Sequence, residues 1–133
     1  MTPSITEEIS TVTLYERLGG APGIRRIVDG AIAAHMENPA IRARFTPYES
    51  RPARVEEIKR HTCDFFARGT GGPDAYRGRS MAEAHRGMDI APPEYEAAAG
   101  DILGTMQALG YDGATRAEVA DILHTLKPDI IHQ

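Results

Sequence analysis

A chain of 133 residues, 41% hydrophobic and 26% charged, is long enough for one domain with a buried core. Its formal net charge of −4 offers no general attraction for nucleic-acid phosphates, and no apolar run is long enough to span a membrane. The single cysteine, Cys63, excludes an intrachain disulfide and reads as a small half-buried hydrophobe.

Residues 1–12 read as a polar N-terminal extension. Glu7 and Glu8 stand where a signal peptide would have a basic start and an apolar stretch, so a cytoplasmic location is expected. Thr13 is placed to cap a short helix, Leu14-Tyr15-Glu16-Arg17-Leu18, closed by Gly19-Gly20. A second helix is predicted over about 22–37, where Ile24, Ile27, Val28, Ala31, Ile32 and His35 recur at helical spacing. Asn38-Pro39 breaks it, and Ile41 to Phe45 make a short helical turn before Pro47. Residues 46–53 read as a loop.

A strong helix follows over about 52–69. Ile58, His61, Thr62 and Phe65 fall at i, i+3, i+4 and i+7, on one face. Six of the fifteen Lys and Arg residues lie between Arg42 and Arg60, which reads as a solvated face with room for one anionic ligand. A Gly-rich loop over 69–78 leads to a very short helix ending near His85. Two long helices, about 93–109 and 115–126, close an all-α domain over 13–133. His124 and His132 read as surface residues. A lone histidine on a short helix between larger ones can give a neutral imidazole to a metal.

Several stretches combine in order: Leu14-Tyr15-Glu16-Arg17-Leu18-Gly19-Gly20, Asn38-Pro39 with Phe45 downstream, Asp64-Phe65-Phe66, Gly71-Gly72-Pro73-Asp74-Ala75-Tyr76-Arg77-Gly78-Arg79, and Met81-Ala82-Glu83-Ala84-His85. On these, over about 13–127, the sequence resembles the truncated haemoglobins, most closely their group I. The resemblance implies a two-over-two helical sandwich around haem b. It makes His85 the proximal ligand to iron, Phe45 a packing residue at the porphyrin edge and Phe65 a distal lining residue. It sets Ile58, His61 and Thr62 at the distal positions that face or flank the sixth coordination site.

A haem is a flat apolar plate with two carboxylates, and it needs apolar walls, an axial base and nearby cations. Phe45, Ile58, Phe65, Met81, Met88, Ile90, Ile102 and Met106 are candidate walls, with core packing as the plain alternative. Arg79, Arg77 or Arg60 are candidates for the propionates, with a solvated position as theirs.

Two departures from the family pattern matter. The usual distal tyrosine and glutamine correspond to Ile32 and Thr62, and the loop between Phe45 and Ile58 is several residues longer. A threonine hydroxyl is short and competes for its own helix backbone. His61 is then the strongest polar candidate above the iron, as a sixth ligand or as a hydrogen-bond donor; the alternative turns it outward to solvent or a propionate. His35 either approaches the pocket or closes its helix, where a partly charged imidazole suits the dipole.

The expected function is binding of a diatomic gas, oxygen or nitric oxide. Nitric oxide dioxygenation is its enzymatic form, and an external reductase would restore the ferrous state. The alternative is a bis-histidyl electron-transfer or sensing module built on His61 and His85. Peroxidase-like or biosynthetic oxidation is a third reading, and a haemless helical interaction module an outsider that leaves His85 unexplained. A monomer or weak dimer is expected.

Overall fold

The computed structural model describes residues 12–72 and 81–133. Helix α1, Leu14–Arg17, begins where the Thr13 hydroxyl accepts the Glu16 N–H at 3.1 Å. The chain reverses at Gly19, whose φ of +97° suits a residue without a Cβ, and enters α2, Gly20–Glu37. This helix buries Gly23, Ile24, Ile27, Val28, Ala31, Ile32 and His35, the predicted stripe. Gly23 is there because the chain passes close: a Cβ at that position would stand 1.9 Å from the Leu18 carbonyl oxygen.

Two 3-10 turns, Arg42–Arg44 and Thr46–Tyr48, carry the chain to α3, Pro52–Gly69. Proline in the first turn costs no hydrogen bond there. Much of the stretch read as loop, 46–53, is therefore helical turn. After the undescribed segment come α4, Met81–His85, α5, Pro92–Ala108, and α6, Gly113–Ile130.

Helix α6 is longer than its pattern suggests. The Asp112 carboxylate accepts the Thr115 N–H at 2.7 Å and starts the helix early. At the other end the helix runs through Pro128 to Ile130, because Ile130 is buried in a small cluster with Ile90 and Tyr95. Packing of that last turn outweighs the single N–H lost at proline.

α2 packs against both α3 and α5, and α6 packs against α5 and α4, giving a two-over-two helical sandwich. The core lies between α1, α2, α5 and α6: Leu18, Ile24, Ile27, Val28, Met106 and Val119 are almost wholly inaccessible. Each such side chain contributes about 1.5–3 kcal/mol by leaving water. The Tyr111 hydroxyl donates to the Leu18 carbonyl and ties the α5–α6 connection to the end of α1. Among the described residues no helix is long and apolar enough to cross a membrane.

Candidate functional site

Helix α3 has 18 residues and an evident apolar face, yet none of its residues is fully buried. Two adjacent stripes explain this. Val55, Cys63 and Phe66 pack against the main core, and burial pushes the Cys63 thiol above its usual pKa. Ile58, Thr62 and Phe65 form the next stripe round the helix and are only half-buried. An amphipathic helix ordinarily buries such a stripe fully; here the three side chains keep partial exposure. A narrow crevice of about 20 Å³ lies between Phe65, Phe66 and Gly69 and Ile122, Leu123 and Leu126 of α6.

His85 ends α4, half-buried, and its carbonyl accepts the Met88 N–H at 3.0 Å. α4 takes its packing from α6, whereas α3 takes its packing from α2. The two histidine-bearing helices are thus held by different neighbours. Met88, just past His85, is 38% exposed and is one of three large hydrophobic side chains exposed among the described residues. Ile90 is instead buried with Tyr95 and Ile130, and Met106 lies deep in the main core with Ile102 packed against it.

Phe45 is half-buried, its ring stacked on His35 with centroids 5.4 Å apart at 29°. His35 sits in the last turn of α2, as the helix-end reading expects, but it is buried and has a side-chain partner on another helix. Its Nδ1 lies 2.8 Å from the Asp101 carboxylate, and the Asn38 amide donates to both Asp101 oxygens at 3.2 Å. The partner on α5 gave no pattern in the sequence, since one aspartate on a distant helix carries no periodic signal.

The distal candidates are distributed unevenly. The Thr62 hydroxyl donates to the Ile58 carbonyl at 2.7 Å, so its proton is committed to the helix backbone. Ile32 belongs to the main core. The His61 side chain is 56% exposed, with Nε2 3.8 Å from the Glu57 carboxylate. Arg60 is exposed; Arg77 and Arg79 lie outside the described residues.

Arg44 was not singled out by sequence and stands at the centre of this region. Its guanidinium holds both oxygens of Glu94 (2.5 and 2.9 Å) and donates to the Met88 carbonyl at 2.9 Å. Arg44 first, and the Ala91 N–H second, hold the Glu94 carboxyl down at about 2.

No cluster of three or more His, Cys, Asp or Glu side chains able to hold a bare metal ion exists among the described residues. The described residues do offer separate imidazoles, His61 on α3 and His85 on α4, and a partly exposed apolar stripe on α3; one axial imidazole is enough for a metal that brings its own equatorial ligands. A haem is such a group, and the residues present fit it. A separate open groove between α5 and α6, floored by Gly100, Gly104 and Ala117, has no histidine in its lining.

A family model described as bacterial-like globin matches residues 13–132. The group 1 truncated hemoglobin of Tetrahymena pyriformis is 26% identical over 90% of this chain and 94% of its own length. That of a Synechocystis species, GlbN, is 29% identical over 91% and 98%. Among solved structures, the Fe(III) form of the Tetrahymena pyriformis protein superposes with a TM-score of 0.83 at 24% identity, covering 92% of this chain and all of that one. The hemoglobin of Chloroflexus aurantiacus superposes with a TM-score of 0.75 at 27% identity over 92% and 99%.

Proposed function

Because the chain belongs to the bacterial-like globin family, haem proteins that bind diatomic gases, we propose that His85 is the proximal ligand of a haem b lying between α3 and α4. The observation that carries this reading is the half-buried stripe Ile58–Thr62–Phe65, on a helix with no fully buried residue. The bound haem supplies the iron chemistry, oxygen binding or the conversion of nitric oxide and oxygen to nitrate, and an external reductase returns the iron to the ferrous state.

The chain's own residues bind, orient and exclude water. His85 gives a neutral imidazole. Ile58, Phe65 and Met88 provide apolar surface, and Arg79 is our candidate for a propionate. Phe45 packs at the plate's edge with His35 and Asp101 behind it. The domain runs over 13–133, with 1–12 as an extension and a cytoplasmic location.

A hydrogen-bond donor beside a bound gas slows its release. With Thr62 committed to its own helix, the distal side offers a weak hold. This arrangement suits turnover better than storage. One observation favours a second reading, His61 as sixth ligand in an electron-transfer or sensing module. His61 neighbours Ile58 and Phe65 on the helix surface, and its tie to Glu57 is long and exposed, so turning toward the iron costs little.

Ferric and ferrous absorption spectra of the haem-loaded protein beside His61→Ala decide between the two. A six-coordinate low-spin spectrum that becomes high-spin in the variant establishes bis-histidyl ligation. A high-spin spectrum indifferent to the substitution establishes an open gas-binding site.

A further inference from the structure

The turn that follows His85 has its backbone polar groups taken from two sides. The Gly87 and Asp89 N–H groups both donate to the Gln133 carbonyl at 3.0 Å, and the His132 N–H donates to the Ile90 carbonyl at 3.0 Å. Ile90 and Ile131 pair as a parallel bridge. From the opposite side Arg44 donates to the Met88 carbonyl at 2.9 Å, while Glu94 grips the same guanidinium. The Met88 N–H closes on the His85 carbonyl itself.

Side chains reinforce the strap. The Asp89 carboxylate lies 3.0 Å from His132 Nδ1, and Ile90, Tyr95 and Ile130 are buried beneath. Asp89 at φ +46° and His132 at φ +57° both occupy the left-handed region. Non-glycine residues stay there when surrounding bonds over-determine the backbone.

Helix α4 is five residues long, too short to hold its own shape through internal hydrogen bonds. Its position is set by what holds its ends. We propose that residues 131–133 and Arg44 are positioning residues for His85: together they clamp the turn 87–90 and fix the height and tilt of the imidazole. This rests on the reading of His85 as axial ligand. It also ties the turn to the edge of the assigned site, since Arg44 adjoins Phe45.

The test uses ferrous haem-loaded protein in a His61→Ala background, so that His85 alone can ligate. His132→Pro removes the N–H and cannot adopt a positive φ; Arg44→Gln removes the contacts to Met88 and Glu94. The readouts are the iron–histidine stretching band in resonance Raman and amide exchange at Gly87 and Asp89. In His132→Pro and Arg44→Gln the band shifts and broadens, haem transfer to a scavenging globin accelerates roughly tenfold, and the two amides exchange roughly tenfold faster, as loss of one or two net hydrogen bonds requires. His132→Asn, which keeps the N–H and tolerates positive φ, restores the wild-type band.

If either severing variant fails to fold, His132→Val, whose branched side chain resists a positive φ, and Arg44→Ala carry the same readouts. An unchanged band in variants whose Gly87 and Asp89 amides have lost protection overturns the clamp and leaves the haem reading standing. Absence of any iron–histidine band in the His61→Ala parent overturns the haem reading first.

Discussion

The two halves of this molecule are finished to different degrees. Between α2, α5 and α6 the side chains of Ile24, Ile27, Val28, Met106 and Val119 are shut away from solvent. Across the molecule, α3 has comparable length and a clear apolar face but no fully buried residue, and among the described residues α4 packs chiefly against α6. The first half is what lets the chain fold. The second is the half to which we assign the haem. Stability and function are therefore separable here, and substitutions in each half should register in different experiments.

The largest effect on folding belongs to the core. Met106→Ala is expected to lower unfolding free energy by about 2–5 kcal/mol, to similar extents with and without haem, as read by denaturant titration of both forms. A loss confined to the haem-loaded form would break the comparison by assigning Met106 to the site.

Next in size is the cofactor's own contribution. Haem at a thousand times its dissociation constant stabilises the folded chain by about 4 kcal/mol. Hydrogen exchange should show that protection concentrated in α3 and α4, with α2 already slow in the haem-free protein. Uniform slowing would mean that the two halves are equally formed beforehand.

A smaller effect sharpens the electrostatic side. The Glu94 carboxyl is held at about 2 by Arg44 and the Ala91 N–H, against an ordinary 4.5. A depressed folded-state pKa stabilises above the unfolded value, and the benefit disappears as pH falls from about 4.5 through about 2. Glu94→Gln should remove about 1 kcal/mol at neutral pH, the scale of a partly exposed pair, and flatten the acid limb of the stability profile. A variant with the wild-type acid limb would show that Arg44 gains nothing from Glu94.

Much of this was legible in the sequence, for physical reasons that also mark the boundary. The α2 stripe, the Thr13 cap and the Asn38-Pro39 break are local: periodicity and capping fix them within a few residues. Helical spacing put Ile58, His61, Thr62 and Phe65 on one face; Ile58, Thr62 and Phe65 are half-buried there, while His61, at its margin, is exposed, and Thr62's bond to its own backbone follows from a short hydroxyl on a helix. What the sequence did not disclose is tertiary. Asp101 meets His35 from another helix, Glu94 meets Arg44 across fifty positions, and residues 131–133 return to the turn after His85. His132 read as a surface residue, and its side chain is exposed; its backbone N–H is what engages the turn. Helix α6 ran past Pro128 because burial of Ile130 outweighs one missing donor.

The most direct test of the account is haem titration of the apoprotein against His85→Ala, followed by visible absorption, with imidazole added to the variant. The account predicts stoichiometric uptake by the wild-type chain, loss of that spectrum in the variant, and its partial return with imidazole, while the apoprotein's unfolding stays unchanged. Equal uptake with an identical spectrum in His85→Ala would contradict it.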